Sequence, residues 1–235
     1  MKVITKKLIG ACEINYDAMR KIIAVLIVLT ILTATTGCLE PKEAAPARVS
    51  EAALAQVGWV QEGDVQKQTL ETNVSEVTIK ANIATVVYKD RALEDKIAHD
   101  TGGLISGVSS YLMTIRLVLP LGISPPADLV FNLGEEQFLQ KARETVPDMQ
   151  QAGTRTISIA GGHTTDARIY EGTINYEGGS VGVRGILAMW DANGSTIVVG
   201  AVTPVEDLTY QGITIVQIDG EAEFNEAIAL IQSVT

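Results

Sequence analysis

Two glycine-bearing turns constrain the second half of this chain more than any other feature of its sequence. The stretches "YEGGSV" (176–181) and "DANGST" (191–196) each separate two strand-like runs. Gly-Gly and Asn-Gly adopt the positive φ angles that two-residue β-hairpin turns require, so the flanking strands pair antiparallel. Four strands of a C-terminal meander are predicted, at Arg155–Ile159, Thr164–Tyr176, Ser180–Asp191 and Thr196–Pro204.

The first half of the chain contains further strand patterns. Apolar residues alternate along "VTIKANIATVVY" (77–88), which predicts a strand with one buried face. The apolar run "YLMTIRLVLPLGI" (111–123) predicts another, and the polar stretch Val60–Leu70 predicts an edge strand. Residues Lys89–Gly107 are polar and then rich in glycine and serine, which predicts a loop with at most one helical turn.

Helical patterns occur at three places. Ser50 and Gly58 bracket "EAALAQV" as a cap and a stop signal. "GEEQFLQKARETVPDM" (134–149) and "GEAEFNEAIALIQSV" (220–234) carry apolar residues at helical spacing. The predicted fold class is therefore α+β, with about six to seven antiparallel strands covered by the internal amphipathic helix and the C-terminal helix.

The N-terminal region has the order of a secretory signal. Arg20 and Lys21 precede the apolar run Ile22–Leu32, and the small residues Thr33–Gly37 lead to Cys38. Small residues directly before a cysteine form a lipobox, so Cys38 is the predicted lipidation site. Two alternatives remain open. One is an uncleaved membrane helix, although the run is shorter than the roughly 20 residues a span needs, and the other is plain secretion.

These signals divide the chain into four parts. Residues 1–18 are either an over-extended gene start or a cytoplasmic extension, and residues 19–37 form the signal peptide with its lipobox. Residues 38–48, with two prolines and no apolar periodicity, predict a tether. Residues 49–235 predict a single extracytoplasmic domain, held at the cell membrane and facing outside.

Composition excludes several classes of function. The formal net charge of −10 disfavours binding to nucleic acid, whose phosphates proteins contact with Lys and Arg. No cysteine follows Cys38, so a disulfide scaffold, thiol catalysis and Cys-based zinc sites are excluded for the mature chain. No cofactor is predicted.

The search for catalytic chemistry finds little. The two histidines, His99 in "DKIAHDTGG" and His163 in "AGGHTTDAR", are predicted to lie in a surface loop and in a turn. They do not have metal-ligand spacing, and no metal site or catalytic residue is predicted.

Two kinds of candidate site remain. Four side chains on one face of the Thr164–Tyr176 strand form a candidate ligand-binding face: Arg168, Tyr170, Ile174 and Tyr176. The alternative is that they form ordinary sheet surface under a helix. Asn73 and Asn193 begin Asn-x-Ser sequons and are candidate N-glycosylation sites in an exported chain.

Several motifs together resemble a known family. "ARVSEAALAQVGW" shortly after the lipobox, "GTRTISIAGGHTTDARIYEGTI", "STIVVGAVTP" and the final helix resemble archaeal membrane lipoproteins of unknown function, abundant in haloarchaea. The order of elements is also similar to the PsbP-like αβα sandwich. The family resemblance implies a location and no activity. The modest charge content, 20% of residues, indicates a non-halophilic archaeal source.

The functional expectation is a non-enzymatic, lipid-anchored binding or accessory module of the cell envelope, whose partner is an envelope protein. The alternative is a lipoprotein that binds a small molecule or lipid in a pocket between helix and sheet. A weaker alternative is an envelope hydrolase that uses carboxylates or His163.

Overall fold

The structure is a computed structural model that describes residues 42–74, 77–120 and 127–235. Residues 1–37 and Cys38 lie outside the described part, as does the side chain of Asn73. Within it, none of the helices has the length and apolar character needed to cross a membrane. Residues 41–235 form one compact unit with its own hydrophobic cores, as expected of a domain that folds on its own.

The central feature is one antiparallel sheet, in which the described residues form seven strands. The strands are β1 (Trp59–Val74), β2 (Val77–Asp90), β3 (Tyr111–Val118), β4 (Gln150–Ser158), β5 (Thr164–Tyr176), β6 (Gly179–Ala192) and β7 (Ser195–Pro204). Their order across the sheet is β1-β2-β3-β7-β6-β5-β4, so β3 and β7 join two meanders. The predicted α+β class and antiparallel sheet are confirmed.

The described residues also form four helices and a small hairpin. The helices are α1 (Glu51–Val57), α2 (Arg91–Thr101), α3 (Ala127–Arg143) and α4 (Gly220–Gln232). The hairpin consists of β8 (Leu208–Tyr210) and β9 (Ile213–Val216), which the sequence analysis did not predict. Helix α3 begins earlier than the predicted helix and ends before Val146 and Met149, which are nevertheless buried.

The sheet has a core on each face. One face, here called the α3 face, is covered by α3, α2 and the β8–β9 hairpin, with Phe138 and Leu187 among its buried residues. The other, the α4 face, is covered by α4, α1 and the segment before α1, with Phe224 and Ile231 among its buried residues. Strand β3 contributes to both cores because neither of its faces is open to solvent.

The stretch predicted as a tether, residues 38–48, is packed against the sheet from residue 42 onward. Ala44 and Ala47 are buried, and the small side chains let the backbone lie close to the strands. Thr114 Oγ1 donates a hydrogen bond to the Ala47 carbonyl oxygen at 2.6 Å, and Asn82 Nδ2 donates one to the Lys42 carbonyl oxygen at 3.1 Å. The folded domain therefore begins earlier than residue 49.

The same segment is joined to the C-terminus. Arg48 and Thr235 exchange two backbone hydrogen bonds, with N–O distances of 3.1 and 3.0 Å. The segment 42–49 and α4 therefore close the α4 face together.

The predicted loop at Lys89–Gly107 is wrong, because α2 occupies most of it. Asp90 caps this helix by accepting a hydrogen bond from the Leu93 backbone N–H at 2.9 Å. Leu93 and Ile97, four residues apart, are buried against the sheet. Gly102, with φ of 59°, ends the helix in the left-handed conformation. The polar residues that suggested a loop form the exposed side of this helix.

The position of α3 depends on a glycine in the central strand β7. The aromatic ring of Phe138 lies directly on the backbone of Gly200, and a Cβ atom at residue 200 would overlap Cδ2 and Cε2 of that ring. Phe138 also contacts Tyr170 of β5, with ring centroids 5.7 Å apart. A glycine in β7 therefore fixes how closely α3 approaches the sheet.

We expect Gly200→Ala to lower the free energy of unfolding by about 1–3 kcal/mol, because α3 must move away from the sheet to make room for the methyl group. Urea denaturation of residues 41–235 measures this. Gly153→Ala is the matched control: it is a strand glycine with no heavy atom within 4 Å of the added Cβ, and it should change the value by less than about 0.5 kcal/mol. Equal effects of the two changes would contradict this account of α3.

Candidate functional site

A cleft of about 190 Å³ lies between the C-terminal part of α3 and the sheet. It is partly open to solvent. Its apolar walls come from four strands, from α3 and from the turn after α3, and they include Val87, Met113, Phe138, Val146, Ile174 and Val202. Its polar rim consists of Glu62, Ser109, Tyr111, Lys141 and Thr145. Apolar walls with a few polar groups are typical of ligand sites.

A second cavity, of about 220 Å³, continues from the cleft along α3. Both cavities are lined by Val87, Met113 and Lys141, so we treat them as one feature, the α3 groove. The cleft is its apolar end. The second cavity is its polar end, which is lined by four glutamines: Gln66, Gln68, Gln137 and Gln140.

The local sequence explains why the groove stays open. Strand β1 is an edge strand whose pairing with β2 shifts register between Glu62 and Gln66. Its groove-facing residues are long and polar, and they do not close over the apolar floor. On the other side, Gly200 lets α3 lie closest to β7 and β6, and a gap lined by Thr85 and Val87 of β2 remains beside the helix.

The charged groups of the groove are largely satisfied within it. Lys141 Nζ lies 2.6 Å from a carboxylate oxygen of Glu144, and both side chains are more than half exposed. Glu144 lines the polar end, and Glu62 lines the apolar end only. An ion pair this exposed is worth little for stability, but it leaves Lys141 with its charge already balanced.

The predicted ligand-binding face on β5 is only partly in the groove. Arg168, Tyr170, Ile174 and Tyr176 do share one side of the strand, but only Ile174 lines the cleft. Tyr176 accepts a hydrogen bond from the Thr209 backbone N–H at 2.9 Å, which ties β5 to the β8–β9 hairpin. Tyr176 therefore has a structural role between β5 and the hairpin.

Arg168 and Tyr170 fasten α3 to β5. Both donate hydrogen bonds to the carboxylate of Glu135, and the Arg168–Glu135 distance is 2.6 Å. The Arg168 guanidinium also lies 3.8 Å from the ring centroid of Phe131. Burial, together with the hydrogen bond to Glu135, raises the pKa of Tyr170, so its hydroxyl stays protonated as a donor.

His163 and the buried carboxylates are at opposite ends of the sheet. His163 is exposed in the β4–β5 turn, next to the strand ends Ser158 and Thr164. Asp90 ends β2 at the other end of the sheet, as the strand pairing from β2 to β4 shows. His99 is exposed on α2. The structure therefore brings neither histidine together with the carboxylates.

Three carboxylates meet where β2 ends and α4 begins. Asp90, Glu223 and Glu226 each place an oxygen within 4.8 Å of the other two. Asp90, which is 2% exposed, caps α2, and Glu226 accepts a hydrogen bond from Trp59 Nε1 at 2.7 Å. Glu223 Oε2 is buried with no hydrogen-bond donor facing it in the described part of the chain.

A proton accounts for this arrangement. Burial, together with the charge of Glu226, raises the pKa of Asp90 to about 6. Burial, together with the charges of Asp90 and Glu226, raises the pKa of Glu223 to about 7. A proton on Glu223 supplies the missing donor toward Asp90. The three oxygens could also hold a divalent cation, but two of the three carboxylates already have donors of their own.

The candidate glycosylation site Asn193 is exposed in the β6–β7 turn, with φ of 51°. In the same turn Ser195 Oγ donates a hydrogen bond to the Ala192 carbonyl oxygen at 2.6 Å. The Asn-Gly pair thus forms the hairpin turn. Glycosylation of Asn193 stays a prediction.

Comparison with protein families matches residues 46–235 to a family described as a domain of unknown function, DUF6517. This match covers most of the chain. The chain belongs to this family. Its extent agrees with the structure, since the DUF6517 domain begins within the segment 42–49 that packs on the sheet and ends at Thr235.

No curated protein and no solved structure gives a significant match to the chain. The predicted membership of an uncharacterised family is therefore confirmed, while the lipobox, the archaeal source and the PsbP-like similarity stay predictions. The DUF6517 match identifies the domain and carries no activity with it.

The sequence predicted only part of the α3 groove. Ile174 of the predicted ligand-binding face lines the cleft, and so do Phe138, Ala142 and Val146 from the predicted internal helix. Val87 and Met113 fall in predicted strands, but no pattern indicated that they line a cleft beside α3. The Asp90–Glu223 cluster was missed because its members come from distant parts of the sequence.

We expect the carboxylate cluster to make stability depend on pH. The pKa values of Asp90 and Glu223 are above their ordinary values of 3.8 and 4.5, so the folded state holds protons that the unfolded state releases. This stabilisation is complete below about pH 4 and is lost as the pH rises through about 7. The free energy of unfolding should fall by on the order of 2 kcal/mol between about pH 5 and pH 8.

Urea denaturation across this range, with Glu223→Gln, tests the assignment. The amide cannot ionise and can donate toward Asp90, so the variant should lose most of the pH dependence. Glu221→Gln, which removes an exposed neighbour paired with Arg184, should keep it. Carboxylates with lowered pKa values, such as Glu94 beside Lys89, change protonation at lower pH and do not interfere. A pH dependence that survives Glu223→Gln would contradict the assignment.

Proposed function

We propose that this DUF6517 chain is a lipid-anchored, extracytoplasmic and non-enzymatic domain that binds a small apolar or amphipathic molecule in the α3 groove. The observation that supports binding is the groove itself. Both faces of the sheet carry closely packed cores, yet beside α3 a cleft of about 190 Å³ remains, and its apolar lining includes the buried strand residues Met113 and Ile174. A cleft with apolar walls that opens to solvent beside a packed core is typical of a binding site.

The size of the apolar end limits the ligand. At about 190 Å³ it is slightly larger than the engineered cavity of about 150 Å³ that binds benzene. One ring or a short alkyl chain is therefore the apolar part that this end accommodates.

The edges of the sheet favour a ligand over a strand-pairing protein partner. Strand β1 is a polar edge with a register shift between Glu62 and Gln66, and Gly63 there has φ of 70°. Strand β4, at the other edge, has a register shift between Gln151 and Gly153. Irregular and charged edges oppose the addition of another strand. An accessory role through edge pairing is therefore less well supported than ligand binding.

The hydrolase alternative has no geometric support among the described residues. His163 lies at the opposite end of the sheet from Asp90 and Glu223. Neither of these carboxylates lines the α3 groove, where a substrate would bind.

Anchoring rests on the sequence from Arg20 to Cys38. We expect the full chain, expressed in an archaeal host and purified from its membranes, to begin at Cys38 and to carry added lipid mass. Intact mass spectrometry measures this. Cys38→Ser should leave the protein unlipidated. A chain that retains Met19 or Met1 without lipid would refute the anchor and would indicate a membrane helix instead.

Ligand binding is tested with methionine methyl groups as probes. Among the described methionines, Met113 lines both ends of the groove, whereas Met149 and Met189 line neither. When residues 41–235, labelled with ¹³C-methyl methionine, are titrated with 1-hexanol, we expect a saturable shift of the Met113 resonance only. Equal shifts of all three, or none, would contradict a ligand site in the groove.

A filled groove provides the matched variant. Ala142 lines the apolar end, and Ala142→Leu should occupy it and weaken hexanol binding at least tenfold. Ala229→Leu makes the same change at an exposed position of α4 and should leave binding unaltered.

A further inference from the structure

We infer that the ligand of the α3 groove is an uncharged amphiphile, with a ring or short alkyl chain in the apolar end and a hydroxyl- or amide-bearing head over the four glutamines. This inference rests on the proposed function and names the ligand class. It depends on three features of the described residues: the order of apolar and polar lining along the groove, the state of the glutamine amides, and the charges around them.

The lining changes character along the groove. The apolar end is bounded by Phe138, Val146, Ile174 and Val202, none of which lines the polar end. Met113 lies where the two ends meet. A molecule that fills the whole groove must therefore have an apolar part at one end and a polar part at the other.

The side-chain amides of the four glutamines are available for hydrogen bonds to a ligand. Gln66 and Gln68 are exposed on β1, and Gln137 and Gln140 face them from α3. In the part of the chain that the structure describes, these four amides make no side-chain hydrogen bond. Each amide offers two donors and one acceptor, so two opposed pairs suit a head with several hydroxyl or amide groups.

The charges exclude a strongly ionic head at the polar end. Lys141 and Glu144 are the charged side chains there, and they are paired with each other at 2.6 Å. For an anionic head the available cation is Lys141, whose charge is already balanced by Glu144. For a cationic head the available anion is Glu144, whose charge is already balanced by Lys141. Because each would lose hydration without gaining a free counter-ion, a neutral head is favoured.

The volume separates two sources of such a ligand. Sugar or polyol heads occur both on free short-chain glycosides and on membrane lipids. The apolar end accommodates one ring or a short chain, so the longer chains of a membrane lipid do not fit. We therefore infer a free short-chain molecule.

The test compares three amphiphiles that share one alkyl chain and differ in the charge of the head. Octyl β-D-glucoside, octanoate and octylammonium are titrated below their micelle concentrations into methionine-labelled residues 41–235. We expect octyl glucoside to shift Met113 with a dissociation constant at least tenfold lower than either charged compound. Glucose alone should produce no shift, and neutral vesicles bearing a glycolipid should not retain the domain.

Glutamine variants test the recognition of the head. Gln137→Ala combined with Gln140→Ala should weaken octyl glucoside about tenfold and leave 1-hexanol binding unchanged, because the change is confined to the polar end. Gln232→Ala, an exposed position on α4, is the control and should alter neither.

The outcomes separate the two proposals. Equal or tighter binding of octanoate or octylammonium, with Met113 still shifted, overturns the neutral head and leaves the groove as a binding site. If the glutamine variant binds octyl glucoside as tightly as the unmodified domain does, recognition of a neutral head by the glutamines is also overturned. If no compound, 1-hexanol included, shifts Met113, the proposed function fails as well. Retention of the domain on glycolipid vesicles would assign the head to a membrane lipid and overturn the free ligand.

Discussion

The contact between Phe138 and Gly200 determines most of what surrounds it. Because β7 has no side chain at this point, the aromatic ring lies against the strand backbone and α3 is held close over β7 and β6. Glu135 then receives Arg168 and Tyr170 from β5, which fixes the helix along its length. A helix held so firmly over one part of the sheet leaves a gap beside β2. The packed core and the open groove are thus two results of one close approach.

The two faces of the sheet are closed in different ways. The α3 face is covered by elements inserted between strands, and its cover is incomplete beside β1. The α4 face is covered by the segment 42–49 and by α4, which come from the two ends of the domain. The buried Asp90–Glu223 pair lies where β2 meets the start of α4, so the protonated cluster belongs to the α4 face and the α3 groove to the other.

Regular patterns in the sequence predicted the strands and long helices well, and contacts between distant segments account for the rest. The Gly-Gly and Asn-Gly turns fixed the C-terminal meander because their backbone requirement is local. Helix α2 was missed because its composition resembles a loop, and its stability comes from the Asp90 cap and from burial of Leu93 and Ile97. The groove could not be predicted, since it depends on which part of the sheet α3 packs against. No pattern along the chain encodes that choice.

The pairing of Arg48 with Thr235 affects the time course of folding. The strands of the β1-β2-β3 meander can pair with each other early in synthesis, but β3 must wait for β7. The α4 face stays incompletely covered until α4 and Thr235 have been synthesised, because α4 covers part of this face and Thr235 pairs with Arg48 of the segment 42–49. During that interval the nascent chain exposes apolar sheet surface that α4 covers in the finished domain. Exposed apolar surface of this kind makes an incompletely synthesised chain prone to aggregation.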